Sequence, residues 1–133
     1  MPELIYALIC SDLIIDKDSS STSFIRTIEH AVVPGLPAAL PPVYFASLWD
    51  MESNGDAPFT ISLTLIPPKG DSVTLGIQEV APSGTMLHKM NFHLPGLHVE
   101  DEGKHILSVT LKKGSQWETK ARLPLYVFKS TSH

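Results

Sequence analysis

A single cysteine, Cys10, stands in the whole sequence, so no internal disulfide can form. That usage points to a reducing compartment rather than to a secreted disulfide scaffold. Basic charge is also scarce: ten Lys and Arg face fourteen Asp and Glu, for a formal net charge of −4. A nucleic-acid binder carries a clustered basic stripe. Here Lys112–Lys113 is the only adjacent pair, and it reads as a hairpin tip, so no nucleic-acid partner is expected. Long apolar runs are missing too. The run at the start, Leu4 to Cys10, is far too short to span a bilayer, and the opening Met-Pro-Glu lacks the basic leader of a signal peptide. A cytoplasmic protein without membrane association is expected.

Chemical signatures are equally thin. There is no G-x-S-x-G elbow, and there is no glycine-rich phosphate loop. Trp49-Asp50 is a lone dipeptide without the repeat period of a propeller blade. No sustained helical period survives the eleven prolines and eight glycines.

What the sequence does contain is period-two alternation, the mark of half-buried strands. Phe59, Ile61, Leu63 and Leu65 alternate with Thr60, Ser62 and Thr64. Val73, Leu75 and Ile77 repeat the pattern, with Gly76 as a bulge. Met86, His88, Met90, Phe92 and Leu94 face away from Leu87, Lys89, Asn91 and His93. Leu107, Val109 and Leu111 follow, and Val43, Phe45 and Trp49 form an earlier strand. Phe59 to Leu65 should be buried together with Val73, Leu75, Val109 and Leu111, and Thr60, Ser62 and Thr64 should lie on the other face. Turn signals such as Asn54-Gly55-Asp56, Pro67–Asp71, Pro82-Ser-Gly84 and Lys113-Gly114 recur at the spacing of sandwiches and barrels. The chain length of 133 residues suits one domain over 1–133 that needs no metal to fold. The fold predicted is an antiparallel two-sheet β-sandwich of seven or eight strands, immunoglobulin-like in the broad sense, with a closed barrel as the alternative. Pro34 to Pro42, with four prolines, is expected to be a loop capping one end. Pro124 argues for an edge or a bulge in the last strand.

The segments Ala7 to Asp12, Asp16 to Asp18, Phe24-Ile25 and His30 to Ala38, followed by Leu40-Pro41 and the later Pro-Gly turns, resemble a family of small uncharacterised bacterial proteins, a domain of unknown function. That resemblance implies a β-sandwich and a bacterial origin. It implies no activity and no functional residues.

Three constellations bear on chemistry. Asp16-Lys-Asp18-Ser-Ser-Ser opens like a calcium loop, but Ser21 and Thr27 stand where an EF-hand needs Gly and a bidentate acid. A looser site would require Asp16, Asp18, Glu52 and Asp56 to converge, and the sequence favours solvated turns instead. His93, His98, Glu100, Asp101 and Glu102, with His105 nearby, match no zinc spacing and read as an acidic loop. Cys10 shares a strand face with Tyr6 and Leu8 and reads as a packed thiol, and His88 reads as a core or half-buried histidine. No catalytic, metal or cofactor residue is expected, and hence no enzyme.

The excess of apolar side chain points instead to an interaction module. The charged fraction is only 18%, and mean hydropathy is slightly positive at +0.09. Leu4 to Ile15 and Leu123 to Phe128 are apolar on both faces, which predicts a symmetric homodimer using the first and last strands, with a further protein partner open. The alternative is a ligand-binding sandwich for calcium or carbohydrate, using the acidic loops or aromatics such as Trp117 and Tyr44.

Overall fold

The computed structural model describes residues 2–51, 58–81 and 86–130. Those residues are all-β, with eleven strands and no helix among them. The strands are β1 (Glu3–Ile15), β2 (Thr22–Thr27), β3 (His30–Val33), β4 (Ala38–Ala39), β5 (Val43–Asp50), β6 (Phe59–Ile66), β7 (Val73–Val80), β8 (Leu87–Leu94), β9 (His98–Val99), β10 (Gly103–Lys113) and β11 (Gln116–Lys129). They form a four-stranded sheet in the order β2-β1-β5-β8, a five-stranded sheet in the order β3-β11-β10-β6-β7, and the ribbon β4-β9. One buried cluster draws on both larger sheets, with Ile9, Phe45, Trp49 and Met90 from the first and Phe59, Ile61, Leu107 and Leu125 from the second. This is consistent with a β-sandwich. No helix of the described residues is long and apolar enough to cross a membrane.

The strand count exceeds the seven or eight expected because β3, β4 and β9 are short segments that periodicity does not resolve. The larger sheet is also mixed: β3 lies parallel to β11, in register from Tyr126↔His30 to Lys129↔Val33. β4 corrects the expectation of a plain loop over Pro34 to Pro42. Ala38 and Ala39 keep their N–H groups between Pro37 and Pro41 and pair with Val99 and His98, and Leu40 N donates to Leu97 O at 2.8 Å. The segment, which contains a cis Leu36–Pro37 bond, thereby packs Leu40, Leu97 and Val99 onto the core.

Phe59, Ile61, Leu63, Leu65, Val109 and Leu111 are buried together. Val73 and Leu75 depart from that set: Val73 is 54% exposed and Leu75 is half-buried. The cause is a bulge. Leu63 pairs with Gly76 and Thr64 with Thr74, so Leu75 is the extra residue and the alternation resets. Ile77 then falls opposite Ser62 on the outer face, while Gly76 faces inward. A Cβ on Gly76 would meet the Phe92 ring at 3.2 Å, so glycine lets the two sheets approach there. The outer face is less open than expected, because Ser62 is buried between its neighbours and Thr60 and Thr64 are half-buried. Met86, expected inside, is exposed. The β10–β11 hairpin closes as the sequence implies, with Lys113 paired to Gln116 and Gly114 at φ +69°, a conformation that favours glycine.

β1 changes role halfway along. Glu3 to Cys10 pair with β5, whereas Cys10 to Ile15 pair with β2. Between Cys10↔Thr27 and Asp12↔Ile25 the ladder is interrupted. Arg26 there takes φ 55°, and Ser11 Oγ donates to Ile25 O at 2.9 Å. The consequence is visible in side-chain contacts. Phe24, whose ladder partner is Leu13, meets the Tyr6 ring edge-on at 5.5 Å. A straight β1 would hold Leu13 roughly 23 Å from Tyr6, so the β1–β2 hairpin folds back over its own sheet. Its tip reaches β8, where Lys89 Nζ donates to Ser20 O and, at 2.9 Å, to Thr22 Oγ1.

Candidate functional site

One stretch of uncovered apolar surface lies on the outer face of β3 and β11. Pleating sends Leu125, Val127 and Val33 into the core and turns Tyr126, Phe128, His30 and Val32 outward. Parallel pairing sets Val32 against Phe128 and His30 against Tyr126, and Tyr126 N donates to Glu29 O at 2.9 Å to fix the start of β3. Val32 is 60% exposed, Phe128 47% and Tyr126 40%. The two aromatic rings are nearly parallel, with centroids 6.3 Å apart, and with Glu29 and His30 they line a shallow open depression. The last strand thus presents one face to the core and the other to solvent. Pro124 sits in the stretch of β11 that pairs only with β10, since β3 begins at Tyr126, so the missing N–H costs no ladder bond on the open edge.

The first strand behaves differently. Leu4, Ala7 and Ile9 pack on the core, with Ile9 buried, and the opposite face is overlaid by the hairpin at Tyr6. Ile5 at the bulge and Ile14 and Ile15 on the hairpin remain exposed.

Cys10 is a free, buried thiol. Burial pushes its pKa up, and the nearby Asp12 carboxylate pushes in the same direction. It pairs with Tyr44 on the outer face of its sheet, while His88 pairs with Trp49 on the inner face, so the two are not brought together. His93 instead packs against Tyr44 at 4.9 Å. Trp117 is half exposed beneath the Lys112 ammonium, 5.6 Å from the ring centre.

In the β1–β2 turn, Asp16 is occupied by its own loop. Ser19 donates to Asp16 Oδ2 from both its backbone N, at 2.8 Å, and its hydroxyl, which holds the carboxyl below its ordinary range. Glu52 and Asp56, the other acids of the calcium reading, lie outside the described residues, as do the Asn54-Gly55 and Pro82–Gly84 turns. Among the described residues no three His, Cys, Asp or Glu are placed to hold a metal ion.

The acidic histidine group separates on folding. His98 Nε2 lies 3.5 Å from Glu100 Oε1 on the surface, whereas His105 is buried on β10. His98, Glu100 and His105 nevertheless wall one cavity of about 200 Å³, together with Val73, Lys69 and Asp71. The sequence reading missed the burial of His105. Its signal was parity, because His105 continues the inward series Leu107, Val109, Leu111. A scan against protein-family models and a search of curated proteins find no match to the chain.

Proposed function

We propose that this protein is a non-enzymatic interaction module that self-associates as a symmetric dimer through the outer face of β3 and β11. The observation that carries the reading is the contiguous exposure of Val32, Tyr126 and Phe128. Three large apolar side chains on adjacent strands form the kind of patch that marks an interaction surface. β3 is moreover the terminal strand of its sheet. A two-fold axis beside it lets β3 pair with its copy, which removes an open edge and covers the patch in one step. The scaffold we infer is a two-layer β-sandwich, immunoglobulin-like in the broad sense, in a cytoplasmic protein of the small bacterial family that its opening segments resemble.

Sedimentation at micromolar concentration tests the dimer. The expected species has twice the 14.6 kDa chain mass, and Phe128→Ser, at an exposed position, leaves the fold intact and yields monomer. A wild-type chain sedimenting as monomer refutes the reading. A dimer that persists in Phe128→Ser refutes the assigned surface.

A further inference from the structure

β3 and β7 are the outer strands of the five-stranded sheet, and among the described residues no strand pairs with the far side of β7. The register identifies the backbone groups on that side. Tyr126 N donates towards β3, so alternation turns Leu125 and its partner His105 to face each other across the β11–β10 ladder. Ile106 then faces its partner Ile66 on β6, and along β6 the odd-numbered Ile61 faces Gln78 on β7. Ile77 and Glu79, on either side of Gln78, therefore aim their N–H and C=O groups away from the sheet. Both residues are exposed, Ile77 by 63%.

Proteins guard such edges with lysine, proline, brevity or a covering segment. Each of the other outer strands has a device of this kind. β2 carries Arg26 and turns back over its own sheet, β8 carries Lys89 bonded to the hairpin tip, and β3 is only four residues long. β7 is eight residues long, with no lysine, arginine or proline in it. The bulge at Leu75 disturbs its start and leaves Gly76 to Val80 as a regular open edge.

We propose that this edge receives an extended strand of another polypeptide, added antiparallel to β7, with a basic residue opposite Glu79 and an apolar residue opposite Ile77. In this mode main-chain bonds give affinity and alternate side chains give specificity. Ile77 and Glu79 each exchange both backbone bonds with the guest residue opposite, as in any hydrogen-bonded antiparallel pair. Their side chains share the outer face of the sheet, so the guest reads basic-x-apolar from its N-terminus. The base is set by charge complementarity. Glu79 is the one charged residue of β7, its ladder partner is the uncharged Thr60, and Asp71 just before the strand adds the same sign. A copy of β7 is a poor guest. Pairing about Gln78 sets each Ile77 against the other's Glu79, pairing about Glu79 opposes like charges, and pairing about Ile77 sets Glu79 against the bulged Leu75. β7 lies at the opposite edge from β3, so this proposal and the dimer fail separately.

The probe is a capped peptide, acetyl-Val-Thr-Lys-Thr-Val-Thr-Val-amide, titrated into the full chain and followed by amide NMR. It should shift the β7 amides saturably at millimolar concentration or below and slow hydrogen exchange at Ile77 and Glu79. Ile77→Pro removes an N–H that no strand uses, which an edge tolerates, so it should keep a Tm near wild type and weaken binding roughly tenfold. Glu79→Lys, at an exposed position, should reverse the preference and favour the same peptide with Glu in place of Lys. Absence of saturable shifts at β7 in the wild-type chain overturns the proposal, as does unweakened binding to Ile77→Pro or an unchanged preference in Glu79→Lys. An Ile77→Pro chain that melts far below wild type refutes the open side itself. Protection of the Ile77 amide without peptide, in a species larger than a dimer, shows that a copy holds the edge and overturns it too.

Discussion

Trp49 is wholly removed from solvent, and its indole N–H needs an acceptor there. Ser47, two residues away on the same strand face, provides it. Trp49 Nε1 donates to Ser47 Oγ at 3.0 Å, and Ser47 Oγ donates onward to Met90 O at 2.9 Å. The relay ties β5 to β8 inside the core. Ser47→Ala leaves the indole donor stranded, a loss of about 1–3 kcal/mol, to be read as a lower urea midpoint at unchanged m-value. An unchanged midpoint would show that the relay contributes nothing. His88 opposite Trp49 bears on pH. Burial lowers its pKa below the ordinary 6.5, so the unfolded chain takes up the proton first as pH falls. Stability from this group is complete above about pH 6.5, declines as pH drops through that value, and levels off below the native pKa. His88→Asn should flatten that part of the stability profile, measured by urea melts from neutral to acid pH. At this scale Cys10 and His88 were legible as a packed thiol and a half-buried histidine, because parity and apolar neighbours report burial. The Ser47–Trp49 bond was not, since polar pairing inside a core leaves no periodic trace.

Among the elements, β6 and β10 were readable from alternation alone, β11 only as a run apolar on both faces, and Gly76 did mark a bulge. The β1–β2 hairpin was not readable. Its sequence shows two apolar faces, which a linear reading assigns to a second molecule. The structure covers one of those faces with the core and overlays the other with the hairpin. Arg26 takes φ 55° where the β1–β2 ladder is interrupted, and no local signal announces that conformation. Lys89 ties the hairpin tip to β8 through Ser20 O and Thr22 Oγ1. Lys89→Met should therefore cost only about 0.5–1.5 kcal/mol globally while speeding amide exchange at Ser20 to Thr22. Exchange in β6 and β10 should not change. Equal protection of the hairpin in both chains would show that packing of Phe24 on Tyr6 suffices.

For the molecule as a whole, the distribution of apolar surface is what separates a self-sufficient domain from an associating one. The sequence carried the excess but not its address. Folding disposes of most of the first strand's share and leaves the last strand's outer face, with Val32 from β3 beside it. The parallel pairing that builds this face could not be read from the sequence, because nothing local links His30 to Tyr126. The same pairing sets a schedule for biosynthesis. β3 leaves the ribosome far ahead of the strand it must join, and at about 5–20 residues per second the delay is on the order of ten seconds. Throughout it the nascent chain holds Val32 and Val33 without a sheet. The segment between β2 and β4 thus waits longer for its ladder partner than any other strand among the described residues.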